Sequence, residues 1–271
     1  MAAWSPFWVA LGAALAMMTL VWLASLVMRD ASIIDVFWGL GFVVVAWIYL
    51  AARETRTLRG DVVVGLVTLW GLRLSFHIGW RGRGKGEDYR YREMRERNPG
   101  TFPVRSLVTV FWLQAVLLWA ISAPLFQAQR SSGPAGLAPL DVLGLVLFAL
   151  GFVFEAGGDW QLARFKRDPD NAGQVMDRGL WRYTRHPNYF GDAVVWWAFF
   201  CLAAATPGSW WTVYSPLVMT LLLVRVSGVT LLEKKLHETK PAYRRYAEET
   251  NAFFPWFPGR GGDGGTPATH P

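Results

Sequence analysis

Residues 179–192 read Gly-Leu-Trp-Arg-Tyr-Thr-Arg-His-Pro-Asn-Tyr-Phe-Gly-Asp, and a long apolar run follows them. The polar side chains of interest in this stretch are Arg182, Arg185, His186, Asn188, Tyr189 and Asp192. Holding so many polar groups beside apolar segments costs free energy, so we expect them to bind a ligand or one another. Pro187 suits the first turn of a helix, which predicts that a helix begins there.

The composition of the chain is that of a membrane protein. Of its 271 residues, 53% are hydrophobic and 16 are Trp, which is more apolar than an ordinary soluble domain. A membrane-spanning helix needs about 20 mostly apolar residues. Seven windows qualify: 5–28, 33–52, 61–80, 104–127, 139–163, 189–206 and 210–232. We predict an all-α integral membrane protein, a single domain of about seven transmembrane helices over 1–258, with a disordered Gly/Pro-rich tail at 259–271.

The distribution of basic residues predicts the orientation in the membrane. Of the 27 Lys and Arg residues, 21 fall on one side of the predicted spans and 4 on the other. By the positive-inside rule the N-terminus is outside and the C-terminus is cytoplasmic, in a bacterial-type inner membrane. The net charge of +7 then reflects topology and contact with anionic membrane lipids, and no nucleic acid partner is predicted. The single Cys and four scattered His residues predict neither a disulfide framework nor a metal site.

Ionisable side chains inside membrane helices are costly and tend to be paired or functional. Eight of them lie within the cytoplasmic half of the predicted spans or at their cytoplasmic ends: Asp35, Arg73, His77, Glu155, Asp159, Asp192, Arg225 and Glu233. Three pairs with a spacing of four residues share a helix face: Arg73/His77, Glu155/Asp159 and Asn188/Asp192. Ion pairs between helices, such as Arg73 with Glu155, are one interpretation. All eight residues lie at a similar depth, and this favours a second interpretation, in which they line a pocket that opens to the cytoplasm.

Basic side chains in two loops, 81–103 and 164–188, lie next to the mouth of this predicted pocket. A guanidinium binds phosphate with two parallel hydrogen bonds, and a helix N-terminus favours anions. The loops therefore predict a phosphate-bearing ligand, with the positive-inside rule as the alternative explanation for each Arg taken alone.

These residues resemble a known family. Residues 185–192 resemble the signature of the steroid 5α-reductases and their bacterial relatives, and Glu155, Asp159 and Lys166 resemble that family's fifth span. Arg73 with Arg81 resembles its third span, and Tyr243 to Pro255 its C-terminus. The resemblance covers most of the chain and is best over 140–258. The Arg-His-Pro-x-Tyr piece also occurs in isoprenylcysteine and phospholipid methyltransferases, which bind S-adenosylmethionine.

The reductase resemblance implies a seven-span bundle that holds NADPH on its cytoplasmic side. A hydride would pass to a C=C bond conjugated to a carbonyl in a hydrophobic lipid or steroid-like substrate. The implied cofactor contacts are Arg73, Arg81, Glu155, Asp159, Lys166, Asn188, Asp192 and Glu233, and we add their neighbours Arg182, Arg185, His186, Tyr189, Arg225 and Tyr246.

The catalytic candidates are Asp35, Trp70 and His77. Asp35 lies where the family has an acidic residue for the substrate carbonyl, although it would also suit the start of a helix. Trp70 stands where the family has a proton-donating tyrosine, and an indole is a very poor acid. His77 or a protonated Asp35 would have to replace that tyrosine, while Trp70 itself would serve packing.

Two other functions are left open by the sequence. A methyltransferase of this architecture has two consecutive Glu residues after an Arg in its last span, whereas here Arg225 is followed by the lone Glu233. A non-enzymatic scaffold or transporter is the third possibility. In a reductase, we expect the lipid substrate to pass from the bilayer beside Gly39 and Gly41.

Overall fold

The computed structural model describes residues 5–130, 136–226, 229, 232, 233, 236 and 242–259. Within these residues the chain is helical and contains no strand. The helices are α1 (Ser5–Met28), α2 (Ile33–Ala51), α3 (Leu58–Gly82), α4 (Tyr89–Arg97), α5 (Phe102–Gln129), α6 (Pro139–Arg167), α7 (Pro187–Ala204), α8 (Tyr214–Leu221) and α9 (Tyr243–Glu249). The prediction that a helix begins at Pro187 is confirmed.

In the described part of the chain, five helices are long and apolar enough to cross a membrane: α1, α2, α3, α5 and α6. They coincide with the first five predicted spans, so the chain has the architecture of a helical membrane protein. The sixth predicted span falls on α7, which carries Asn188 and Asp192 in its first turns. The seventh falls on α8 and the π-helical turn Leu222–Val226 that follows it. The sixth and seventh spans stay predictions.

The region predicted as a basic loop, 81–103, contains helix α4, so that prediction is wrong for residues 89–97. Asp88 caps this helix, because its carboxylate accepts a hydrogen bond of 3.0 Å from the Arg90 backbone N–H. Glu93 and Arg97 form an ion pair one turn apart on its exposed side. A capped helix of charged residues has no apolar stripe, which is why hydrophobic periodicity does not reveal it.

The described residues divide into two compact units. The first unit lies within residues 1–148 and 196–218, and the second within 149–195 and 219–271. Helices α6 and α7 therefore contribute residues to both units. The single domain over 1–258 stays a prediction, and the predicted disordered tail lies outside the described residues apart from Gly259.

Helices α2 and α3 of the first unit approach each other at two glycines. A Cβ atom on Gly39 would lie 2.6 Å from the Gly71 carbonyl oxygen, and one on Gly71 would lie 2.5 Å from the Gly39 carbonyl oxygen. Small residues allow this close backbone packing in membrane helices. The expectation that substrate passes beside Gly39 is therefore wrong, because the backbone of α3 fills that space.

The core of the first unit is aromatic around Trp70. The ring centroids of Phe42 and Trp196 are 4.6 Å apart, and those of Trp70 and Trp196 are 5.7 Å apart with nearly perpendicular planes. Phe199 completes the cluster at 6.4 Å from Trp70. Edge-to-face pairs of this kind add to the free energy of burying such large side chains.

A buried ion pair joins α3 and α6 within the first unit. The Arg59 guanidinium donates to both carboxylate oxygens of Asp141, with N–O distances of 2.6 and 2.8 Å. The Asp141 side chain is 0% exposed and the Arg59 side chain is 2% exposed. The backbone N–H of Ala138 donates to Asp141 as well, at 2.7 Å. Removal of either partner would leave a buried charge without compensation.

Candidate functional site

In the first unit, Asp35 is half-buried and receives hydrogen bonds from two residues of α4. Arg90 Nη2 donates to Asp35 Oδ2 at 2.7 Å, and the Tyr91 hydroxyl donates to Asp35 Oδ1 at 2.7 Å. Gln114 Nε2 on α5 lies 3.5 Å from the Tyr91 hydroxyl oxygen and donates to it. The N-cap of α2 is Ser32, so the carboxylate of Asp35 serves these side chains and does not cap the helix.

The segment before α4 is tied to the start of α2. The Ala31 backbone N–H donates to Glu87 Oε1 at 2.8 Å, and Arg95 donates to the same carboxylate at 2.7 Å. Burial raises the pKa of Glu87, but these two hydrogen bonds and the charges of Arg95 and Arg92 together outweigh that effect and hold the pKa below its usual value. The Arg90 Nε atom also donates to Asp88 Oδ1 at 2.9 Å. Helix α4 is thus fixed beside Asp35 by several independent contacts.

The environment of Tyr91 keeps its hydroxyl protonated. Burial raises the pKa of Tyr91 well above its usual value, and the negative charge of Asp35 raises it further. Burial on its own lowers the pKa of Arg90, but Asp35, Tyr91 and Asp88 together outweigh burial and the pKa is raised. Arg90 therefore stays a cation beside Asp35, and Tyr91 stays a hydrogen-bond donor.

The other predicted site residues of the first unit lie on α3. Trp70 is fully buried in the aromatic core described above. His77 is half-buried, with its ring 6.4 Å from that of Trp80. Arg73 is half-buried, and Arg81 is exposed in the last turn of α3. Their catalytic and cofactor roles stay predictions.

In the second unit, α6 and α7 pack tightly along two glycines. A Cβ atom on Gly191 would lie 2.5 Å from the Gly151 carbonyl oxygen and 2.8 Å from the Glu155 Cβ atom. The same seam brings Asn188 Nδ2 to 3.1 Å from Asp159 Oδ1, to which it donates. The predicted facing of these polar helix stripes is confirmed for Asn188 and Asp159.

The acidic residues on this seam are buried: Glu155, Asp159 and Asp192 are 2%, 5% and 9% exposed. Among the described residues, the Asn188 side-chain oxygen is buried without a hydrogen-bond partner. Buried polar groups of this kind mark an interhelical contact or a binding site.

Glu233 is the centre of a second polar cluster. Its Oε1 atom accepts from Arg185 Nε at 2.7 Å, and it lies 3.2 Å from His186 Nε2 and 3.4 Å from the Tyr243 hydroxyl. Burial raises the pKa of Glu233, but the hydrogen bonds from His186 and Arg185 outweigh burial and lower the pKa to about 2. His186 is buried and stacks on Tyr189, with ring centroids 5.5 Å apart.

Arg185 also holds the C-terminal segment. Its Nη1 atom donates to the carbonyl oxygens of Ala247 and Thr250 at 2.7 and 2.5 Å, and its backbone N–H donates to the Asn251 carbonyl at 2.9 Å. One residue earlier, Thr184 Oγ1 donates to the Phe253 carbonyl at 2.9 Å. Arg185 thus uses its Nε and Nη1 atoms within the protein, where we predicted that it would bind a phosphate.

Trp181 connects the same loop to helices α6 and α9. The Tyr246 hydroxyl donates to the Trp181 carbonyl oxygen. The Trp181 indole N–H donates to the Gly158 carbonyl at 3.0 Å, and the Leu180 backbone N–H donates to Gln161 Oε1 at 3.0 Å. Sequence reasoning missed Gln161 and Trp181, because main-chain partners leave no spacing pattern.

Two cavities of the second unit adjoin, because Gln174, Val175 and Tyr246 line both. The more enclosed cavity has a volume of about 290 Å³. Apolar and aromatic side chains line most of it, together with three basic ones: Leu162, Phe165, Trp181, Leu232, Lys166, Arg185 and His186. The more open cavity has a volume of about 1090 Å³ and is lined by the charged residues Asp177, Arg178, Arg182, Arg245 and Glu249.

The remaining predicted residues are exposed. Lys166 and Arg182 lie at these cavities, whereas Arg225 lies in the π-helical turn after α8. Across the residues that the structure describes, no group of three His, Cys, Asp or Glu side chains could hold a metal ion. The polar side chains that line the two cavities include the cations named above and the carboxylates Asp168, Asp177 and Glu249.

Comparison with known proteins gives the family of the chain. It is 26% identical to an uncharacterized protein of Schizosaccharomyces pombe, in an alignment that covers 93% of this chain and 80% of the relative. No solved structure matches. A family model described as "Protein of unknown function (DUF1295)" matches residues 21–250. Because this match spans most of the sequence, the chain belongs to the DUF1295 family.

Proposed function

We propose that the protein is a membrane reductase that uses NADPH to reduce a C=C bond conjugated to a carbonyl in a lipid or steroid-like substrate. The observation that carries this proposal is the hydrogen bond from Tyr91 to Asp35. An enone reductase needs an acid as well as a hydride, and the indole of Trp70 is a very poor acid. Tyr91 provides a phenol in its place, on a different helix.

The chemistry assigns a task to each residue around Asp35. Reduction adds a hydride to the carbon β to the carbonyl and a proton to the α-carbon, while the carbonyl oxygen takes up negative charge in between. NADPH supplies the hydride when bound. When substrate binds, Tyr91 would turn its single O–H from Asp35 to that oxygen and protonate it, which stabilises the developing charge and gives an enol. The enol would return to the carbonyl form by taking a proton from solvent at the α-carbon and giving the proton on oxygen back to Tyr91. Asp35 and Gln114 orient the hydroxyl, and Arg90 balances the charge of Asp35.

The second unit offers the features that a dinucleotide requires. A base and ribose suit the more enclosed cavity with its apolar and aromatic walls, and phosphates suit the basic side chains at both cavities. Lys166 and Arg182 are the predicted cofactor residues that remain exposed there. Asn188, Asp159 and Asp192 would add polar contacts, since amide and carboxylate groups bind ribose hydroxyls and a carboxamide.

The membrane topology is part of the proposal. Seven spans with the N-terminus outside and the C-terminus cytoplasmic would place Asp35, Arg185 and Glu233 on the cytoplasmic side of an inner membrane. The asymmetry of Lys and Arg supports this orientation. A soluble cofactor would then bind from the cytoplasm, while the substrate stays in the lipid phase.

A lipid or isoprenylcysteine methyltransferase that binds S-adenosylmethionine is the competing function, because it shares the Arg-His-Pro-x-Tyr piece. The lone Glu233 opposes it, and Oε1 of this carboxylate already accepts from Arg185. The two functions differ in the ligand that they bind, so ligand binding separates them.

Thermal unfolding of the detergent-purified protein with NADPH, NADH or S-adenosylmethionine tests the proposal. A ligand that binds the folded state raises the unfolding temperature by an amount that grows with its concentration. We expect NADPH to stabilise the protein, and then to be oxidised when enone lipids are added. Stabilisation by S-adenosylmethionine alone would favour the methyltransferase. Stabilisation by none of the three would favour a scaffold or transporter.

A further inference from the structure

Three arginines line the open cavity of the second unit: Arg178, Arg182 and Arg245. Arg178 lies 3.9 Å from Asp177 in an exposed pair, and Arg245 lies 2.9 Å from Glu249 one helical turn away. Exposed pairs of this kind contribute little free energy, so a phosphate can compete with the carboxylates for these cations. The Arg182 side chain makes no hydrogen bond or ion pair with the residues that the structure describes. Three guanidinium groups therefore line the cavity. Of these, the Arg182 guanidinium has no hydrogen-bond or ion-pair partner among the described residues.

The neighbouring cavity determines what kind of anion would reach these arginines. It is the more enclosed of the two, has a volume of about 290 Å³, and shares Gln174, Val175 and Tyr246 with the arginine-lined cavity. Its aromatic and apolar walls suit a heteroaromatic base with its ribose. Because the two cavities share these residues, a phosphate attached to that ribose would have the arginine-lined cavity beside it. Lys166 lines the more enclosed cavity and would supply a cation for the phosphates that link the two nucleosides.

We propose that Arg178, Arg182 and Arg245 bind the 2′-phosphate of the dinucleotide and make the protein selective for NADPH over NADH. This inference rests on the proposed function. Arginine matches a phosphate dianion with parallel hydrogen bonds, and an arginine beside the ribose is a general means of accepting the 2′-phosphate. NADH has a hydroxyl at that position, so it gains nothing from the three cations.

Equilibrium binding, followed by quenching of tryptophan fluorescence, tests the inference without turnover. The ligands are NADPH, NADH, adenosine 2′,5′-bisphosphate and adenosine 5′-monophosphate, and the variant is Arg182→Gln. Its matched control is Arg244→Gln, an exposed arginine on the same helix as Arg245 that does not line the cavity. We expect Arg182→Gln to weaken binding of NADPH and of the bisphosphate about tenfold or more, since hydrogen bonds to charged groups have about that effect. Binding of NADH and the monophosphate should be unchanged, and Arg244→Gln should bind all four as the wild type does.

The outcomes separate the inference from the function on which it rests. Wild-type protein that binds neither dinucleotide would overturn both. Wild-type protein that binds NADPH and NADH equally tightly would overturn the inference alone. An equal loss of both dinucleotides in Arg182→Gln would also overturn it, because it would assign Arg182 to a phosphate that both ligands share. Arg182→Lys keeps the positive charge but loses the paired N–H donors of the guanidinium, so it should retain part of the preference for NADPH over NADH.

Discussion

The Tyr91 hydroxyl donates a hydrogen bond of 2.7 Å to Asp35, across 56 positions of the sequence. This contact joins α4, which has no apolar face, to the start of α2. It places a protonated phenol beside a carboxylate that Arg90 also binds at 2.7 Å. Three polar groups are thereby held together near the end of a membrane helix, where each of them alone would be costly.

Replacement of Tyr91 by Phe should remove the proposed acid and keep the shape of the side chain. We expect the turnover of an enone substrate to fall by about 10²–10⁴-fold, the usual contribution of general acid catalysis. Binding of NADPH should be unchanged. Tyr89→Phe on the same helix is the control, because Tyr89 is exposed. Full turnover in Tyr91→Phe would show that another group donates the proton.

The glycine seam between α6 and α7 should not tolerate a methyl group. Gly191→Ala would place a Cβ atom 2.5 Å from the Gly151 carbonyl oxygen, so we expect a loss of about 1–3 kcal/mol in the free energy of unfolding. Gly65→Ala is the control, since a Cβ atom there meets nothing within 4 Å and alanine favours the helix. Equal stability of the two variants, measured by thermal unfolding in detergent, would contradict the packing described here.

The buried ion pair of Arg59 and Asp141 should contribute more to the free energy of unfolding than an exposed ion pair does. Asp141→Ala leaves the guanidinium buried without its carboxylate, and we expect it to cost about 3–5 kcal/mol of unfolding free energy. Glu93→Ala breaks the exposed pair with Arg97 on α4 and should cost less than about 1 kcal/mol. The double variant Arg59→Met/Asp141→Leu should recover most of the loss, whereas a double variant as unstable as Asp141→Ala would argue against this account.

Glu233 should make the stability of the second unit depend on pH in the acid range. Its pKa falls from the usual 4.5 to about 2 in the folded state, so the folded state holds its proton less tightly than the unfolded state does. The resulting stabilisation is complete above about pH 5 and is lost as the pH falls towards 2. Because the side chain stays partly accessible, we expect about 1–2 kcal/mol. Glu233→Gln should unfold with a weaker dependence on pH between 5 and 3, and an unchanged dependence would assign the effect to another carboxylate.

The apolar windows and the Asn188 contact were predictable because each depends on local composition or helical spacing. Spans α1 to α3, α5 and α6 follow from runs of apolar residues. Asn188 meets Asp159 because residues four apart share a helix face, and the glycines of the seam bring the two faces together.

Helix α4 and the partners of Arg185 were not predictable in the same way. The contact between Tyr91 and Asp35 depends on how a polar helix folds back over α2, and no period in the sequence records it. Arg185 has the residue type expected for binding phosphate, yet its partners are Glu233 and two main-chain carbonyls. A guanidinium suits both kinds of acceptor, and only the tertiary structure decides between them.

The hydrogen bonds between residues 184–185 and residues 250–253 have a consequence for biosynthesis. Domains fold as they emerge during translation, beginning at the N-terminus. The polar loop before α7 is made early, but its partners in the C-terminal segment are made 65 to 69 residues later. The ribosome must therefore release the C-terminal segment before this loop can reach its final conformation. Between those two moments the loop is open to proteases, and a stop codon before Glu233 would leave the Arg185 side chain without its acceptors.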